Sequence, residues 1–202
     1  MKNDLKRISL AEAEAKLGKI EKTIAKEDSE PIDPNIRPVI IAFMAHGFPV
    51  AGSCEGHLDH QGPYPWLAFE VKTGDSSKKA YLKGLKKVRA QVNALTALGR
   101  EFYELKQKSG SKLPYDRILF VSGNGFDLEE DDDDILAHKL ARQMRHGGSP
   151  KLPSWIGYWL KCMGADSISR MPSELLEPHK KEILKNRQQD MLDFAEFLRS
   201  KL

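Results

Sequence analysis

The chain has 202 residues, of which 40% are hydrophobic, 30% charged and 8% aromatic, and its 32 basic and 29 acidic residues leave a net charge of +3. That length is enough for one compact domain with a real core, and the slight positive balance does not by itself imply a nucleic-acid partner. A mean hydropathy of -0.50, a longest apolar run of only Val39–Ala45 and two cysteines exclude membrane-spanning, disulfide-framework, collagenous and wholly disordered chains.

The charged start, Met1 to Arg7, has no apolar stretch behind it. With so few cysteines, the expected compartment is a reducing cytoplasm. Ser9 and Glu12 then stand at capping-box spacing. Leu10, Ala13, Leu17, Ile20 and Ile24 recur every three or four residues, which predicts an amphipathic helix to about Lys26. Glu27 to Glu30 and the prolines at 31 and 34 form a linker. A second helix is predicted to start near Asp33-Pro34 or Asn35, with Ile36, Ile40 and Phe43 inward and Gly47 as its left-handed terminator.

Phe48 to Ser53 reads as extended, and Trp66 to Val71 alternates as a half-buried strand, with Leu67, Phe69 and Val71 on one face. A long helix is predicted from Lys78 to Lys108, with Gly84 and Gly99 as weak points. Arg117 to Val121 is a third strand. Seven of the eight residues from Asp127 to Asp134 are acidic, and they lead into a predicted helix over 135–145 whose basic end complements its dipole. Residues 151–171 have no clear period. A last helix is predicted from Pro178 to Leu198. These elements give an α+β fold: a small sheet of about three or more strands packed by long helices. An N-terminal helix over residues 1–30 precedes a single α+β domain over 31–202.

One segment is chemically dense. Gly52-Ser53-Cys54-Glu55-Gly56-His57-Leu58-Asp59-His60 places a thiol, two imidazoles and two carboxylates on a predicted loop, where chemistry is commonly sited. Three readings compete. Cys54, His57 and His60 can be zinc ligands, with His46 or Asp59 as a fourth group and Glu55 as a base acting on bound water. Alternatively Cys54 is a nucleophile assisted by His57, with Glu55 or Asp59 orienting the imidazole. In the third, backbone amides at Ser53 and Gly56 bind an anion with His57, and Trp66 supplies a rigid wall. The bland alternative is a buried thiol beside solvated turn histidines.

The run His46 to His57, followed by Pro65-Trp66, resembles a group of uncharacterised microbial proteins. In that group a helix ends in Gly, an extended piece follows, and a Ser-Cys-(Glu/Ser)-Gly-His motif precedes a strand. Asn186 to Phe194 resembles the group's closing helix. The segment Gly52 to His57 is also similar to the Ser-Ser-Cys-Ser-Gly-Arg segment of the tRNA wybutosine-synthesising methyltransferase family, with His57 in the place of the arginine. The first likeness implies no reaction; the second implies a transferase acting on tRNA.

Between Ser76 and Arg100 seven basic residues and no acidic one occur. Lys79, Lys83, Lys86 and Lys87 share one helical face, suited to a phosphate backbone or to simple solvation. The Ser122-Gly123-Asn124-Gly125 turn lacks a Gly-Lys-Ser/Thr ending and does not read as a phosphate loop. The functional expectation is an enzyme, a hydrolase or transferase, acting on a small polar or anionic substrate at the Gly52–Trp66 loop with zinc as the candidate cofactor. Its rivals are a nucleic-acid-binding module using the basic helix and an interaction protein whose loop only packs.

Overall fold

Capping decides where the first helix begins. In the computed structural model, which describes residues 5–27, 30–58, 64–109, 119–123, 152, 154–162 and 172–202, Ser9 Oγ accepts the Glu12 N–H at 3.1 Å. Helix α1 then runs Leu10–Lys26, and it packs on α2 by burying Ala13 and Leu17. Helix α2 spans Arg37–Ala45, with Pro38 in its first turn and no side-chain cap. It starts later than the sequence predicts because Asp33 is not its cap: that carboxylate accepts the backbone N–H of Glu55 instead. Every residue from Val39 to Phe43 is buried, as expected of a helix enclosed on all sides. Gly47 ends the segment at φ +85°, and a Cβ there would stand 2.8 Å from the Lys6 carbonyl oxygen.

Four strands form one antiparallel sheet in the order β1-β2-β4-β3: β1 Val50–Cys54, β2 Trp66–Lys72, β3 Leu119–Gly123 and β4 Trp155–Cys162. Strand β4, which lies in the segment without a clear sequence period, is an inner strand of the sheet. Its alternation is real, since Ile156, Tyr158 and Leu160 are buried while Trp155 is 44% exposed. Aromatic residues on both faces hide that period from a reading by residue type. Phe69 and Tyr158 stack across the β2–β4 pair with ring centroids 4.8 Å apart.

Helix α3, Lys78–Lys108, is capped by Ser77 Oγ and lies over β2, β3 and β4. It is seated tightly on the sheet side at Gly84, where a Cβ would meet Thr73 Cγ2 at 2.6 Å and Ile156 Cδ1 at 3.0 Å. A short helix α4 (Ser173–Leu176) and a 3-10 turn containing Pro178 lead into helix α5, Lys180–Arg199. Met191, Phe194, Ala195 and Leu198 of α5 enter the core, with Phe194 edge-on to Phe43. The architecture is the α+β fold with a small sheet that the sequence predicts. The acidic run at 127–134, the predicted helix over 135–145 and the turn beyond Gly123 lie outside the described residues. Among the described residues no helix is long and apolar enough to cross a membrane.

Candidate metal centre

Two chain segments far apart in sequence meet at the end of β1. The first is the proline-bounded linker that carries Asp33. The second is the turn that leaves β1 through Cys54, Glu55, Gly56 and His57. Backbone hydrogen bonds to carboxylates lock them together: Glu55 N–H donates to Asp33 Oδ2 at 3.1 Å, and Asn35 N–H donates to Glu55 Oε2 at 3.1 Å. From the other side Gln188 of α5 donates its amide to the Glu55 carbonyl at 3.0 Å. Lys180 donates to the Leu58 carbonyl at 3.1 Å.

This lattice brings a carboxylate oxygen of Asp33, Sγ of Cys54 and a ring nitrogen of His57 within 4.8 Å of one another. His57 Nε2 lies 3.4 Å from Asp33 Oδ2. Cys54 is 9% exposed, and burial is the main cause that pushes its thiol above the usual range, with Asp33 and Glu55 adding to the effect and the Gly56 N–H opposing it. That N–H donates to Sγ at 3.3 Å.

Gly56 has a steric reason as well. Its φ is +82°, and a Cβ would lie 2.8 Å from both Leu184 Cδ1 and the Tyr64 carbonyl carbon. Its backbone amide therefore holds the thiol. Trp66 opposes Cys54 across the β1–β2 pair, and its ring stands 3.6 Å from the position a Cβ of Gly52 would take. Ser53 lines a cavity bounded by α1, α2 and β1.

Of the residues the sequence singles out as metal ligands, the structure joins Cys54 and His57; His60 and Asp59 lie outside the described residues. His46 is not in the cluster. It is buried, and its Nε2 lies 2.7 Å from the Leu198 carbonyl oxygen. Asp33 is the member that sequence reasoning missed, because Asp before Pro at a helix start has an ordinary reading as a cap. The signal available was the pair of flanking prolines, which keep the Asp33 backbone in a rigid linker.

Carboxylate, thiolate and imidazole are each established zinc donors, and three protein ligands with one open position is the pattern of catalytic zinc. The same set, with Asp33 and Glu55 both close to the thiol, is a poor receptor for an anion and does not favour a free thiolate. No family model, no curated protein and no solved structure matches this chain.

Proposed function

We propose that the chain is a zinc-dependent enzyme acting on a small polar substrate, with Asp33, Cys54 and His57 as the protein ligands. The observation that carries this reading is the convergence of three different donor types within 4.8 Å from two separate segments. A bound zinc ion would supply a polarising Lewis acid and an acidic water at neutral pH. One zinc ion balances the two negative charges of the Asp33 carboxylate and a Cys54 thiolate, so the cluster's own electrostatics favour a divalent cation.

The remaining residues then have separate roles. Glu55 Oε2 is held by the Asn35 N–H, which leaves Oε1 as the base for a proton removed from water. Gly56 fixes Sγ through its N–H. Ser53 and Trp66 flank the thiol along β1 and β2. Asp33 and Glu55 make the surroundings negative, which favours a neutral or cationic substrate over an anionic one.

The test is metal content after purification and zinc loading. One zinc per chain is expected for the native protein and for Glu55→Gln. Asp33→Asn, Cys54→Ser and His57→Ala are each expected to lose 10- to 100-fold or more in affinity, about the loss seen when a site's supporting groups are removed. Unchanged zinc affinity in all three ligand variants would overturn the assignment.

A second reading is supported by α3. Lys79, Lys83, Lys86 and Lys87 are exposed on its surface, and among the described residues none forms an ion pair. Non-catalytic binding of a nucleic-acid backbone would use this face. Its signature is a log–log salt slope of about -3 to -4 for four phosphate contacts on a duplex. A flat salt dependence, or no change in Lys79→Glu/Lys83→Glu, would exclude it.

A further inference from the structure

Helices α2 and α3 meet the sheet on the same side. Phe69 packs its ring on Phe43 of α2, Tyr158 donates its hydroxyl to the Gln91 side chain of α3 at 2.8 Å, and Ile156 meets α3 at Gly84. The alternate residues of each strand point to the opposite face. On β2 these are Trp66, Ala68, Glu70 and Lys72, all at least partly exposed, whereas Leu67, Phe69 and Val71 between them are buried. On β4 they are Trp155, Gly157 and Trp159. All three tryptophans of the chain therefore stand on the face that α2 and α3 leave.

Two of the indoles reach over glycines. A Cβ at Gly157 would lie 3.1 Å from Trp155 Cζ3 and 3.7 Å from its Cε3. A Cβ at Gly52, which pairs with Ala68 beyond the β-bulge of β1, would lie 3.6 Å from Trp66 Cζ3. Glu70 is directly opposite Gly157 in the β2–β4 register, and Lys72 is opposite Trp155. Opposed positions are about 5 Å apart at Cβ, so the Trp155 ring above Gly157 is an immediate neighbour of the Glu70 side chain, with Trp159 on the diagonal. Trp155 is 44% exposed. Among the described residues the Glu70 carboxylate forms no ion pair, with Lys72 or any other cation. An unpaired carboxylate beside an exposed indole is a receptor for a cation.

We infer that this face docks an arginine side chain of a partner protein, with the guanidinium stacked on the Trp155 ring and its N–H fork on Glu70. Arginine suits both groups at once. It is planar and weakly hydrated, stacks on indoles and pairs bidentately with carboxylates, whereas a lysine ammonium is a compact, strongly hydrated point charge. Trp66 and Trp159 extend the aromatic surface to either side, and tryptophan is a residue in which interfaces are rich. A nucleobase also stacks on indole, but Glu70 repels the phosphates that come with it. The inference stands apart from the metal centre, since none of its groups is a ligand there.

The test titrates the whole chain with acetyl-Gly-X-Gly-amide peptides in which X is arginine, citrulline or lysine, and follows the indole N–H signals by NMR. Citrulline keeps the planar shape of arginine without its charge. The arginine peptide is expected to move the Trp155 signal and to bind about 3- to 10-fold more tightly than the citrulline peptide, the size of an exposed cation–π contact combined with an exposed ion pair. The lysine peptide should fall between them. Glu70→Gln keeps the side-chain shape and is expected to remove most of the arginine preference. Lys72→Gln should strengthen arginine binding about 2-fold by removing a like charge. Trp155→Leu identifies the signal and should abolish the response; the Glu70→Gln result decides the matter if that variant folds poorly. Equal affinity for the arginine and citrulline peptides, or an undiminished preference in Glu70→Gln, overturns the inference. So does an oligothymidylate that moves the same signal and binds Glu70→Gln more tightly than the native protein, which would make the face a stacking surface for bases.

Discussion

At the scale of single residues, His46 is set apart from the other described histidines by its environment. His46 is buried between the C-terminal ends of α2 and α5, and desolvation holds its imidazole below the ordinary range despite the bond to the Leu198 carbonyl. A histidine kept neutral in the folded state gives stability that is fully present above the unfolded value, near 6.5, and lost as pH falls through it toward the lower folded value. Unfolding free energy is therefore expected to decline as pH falls below about 6.5, and His46→Gln should flatten that slope in urea titrations at several pH values. An equal slope in the variant would assign the acid sensitivity elsewhere. Gly56 makes a second residue-level case. Its φ of +82° and the 2.8 Å approach to the Tyr64 backbone mean that Gly56→Ala pays for strain and overlap together, a loss of about 1–3 kcal/mol. The same change should weaken zinc binding, because the Gly56 N–H that holds Sγ moves with the turn. A variant of native stability would show that the turn has another accessible conformation.

At the scale of elements, glycines in α3 separate propensity from packing. Gly99 has open space around its Cβ position, whereas a Cβ at Gly84 would meet Thr73 and Ile156. Gly99→Ala is expected to stabilise the protein by about 0.5–1 kcal/mol through helix propensity. Gly84→Ala should destabilise it, because Thr73 is β-branched in the turn that enters the helix and Ile156 is packed in the inner strand. Thermal melts of the two variants, read side by side, test whether the helix is seated on the sheet at Gly84; a stabilised Gly84→Ala would place the contact elsewhere. What was legible in the sequence follows the range of the interactions involved. Caps at Ser9 and Ser77 and the terminator at Gly47 act within a few residues, so α1, the end of α2 and the whole of α3 could be read locally. Strand β4 could not, because Trp155, Tyr158 and Trp159 place large apolar groups on both faces and erase the contrast that marks a strand. The site shows the same limit. Cys54 and His57 are neighbours in sequence and were visible as a motif, but Asp33 joins them through a hydrogen bond to Glu55 twenty-two residues away. Only the return of the linker over β1 reveals it.

At the scale of the whole molecule, the small net charge conceals an uneven arrangement. Several cations are paired across elements: Arg37 bridges to Glu14 and Glu21 of α1, Lys106 of α3 pairs with Asp193 of α5, and Lys201 pairs with Glu101. These contacts tie α1 to the start of α2, and α3 to the C-terminal region. The linker that carries Asp33 is fastened to the end of β1 chiefly by the two backbone–carboxylate bonds between residues 33–35 and Glu55. A metal ion shared by Asp33, Cys54 and His57 would add a further fastening at that junction, beyond these bonds and the His57–Asp33 contact. Binding confined to the folded state stabilises it by about 2.7 kcal/mol when free zinc is one hundred times its dissociation constant. For a chain of this size that is a rise in Tm of about 5–10 °C. Asp33→Asn is the discriminating variant, because the amide oxygen can still accept the Glu55 N–H while the anionic ligand is lost. The expected result is a metal-free Tm close to native with the zinc-dependent rise removed. A rise equal to that of the native protein would remove Asp33 from the ligand set, and no rise in the native protein would remove the centre itself.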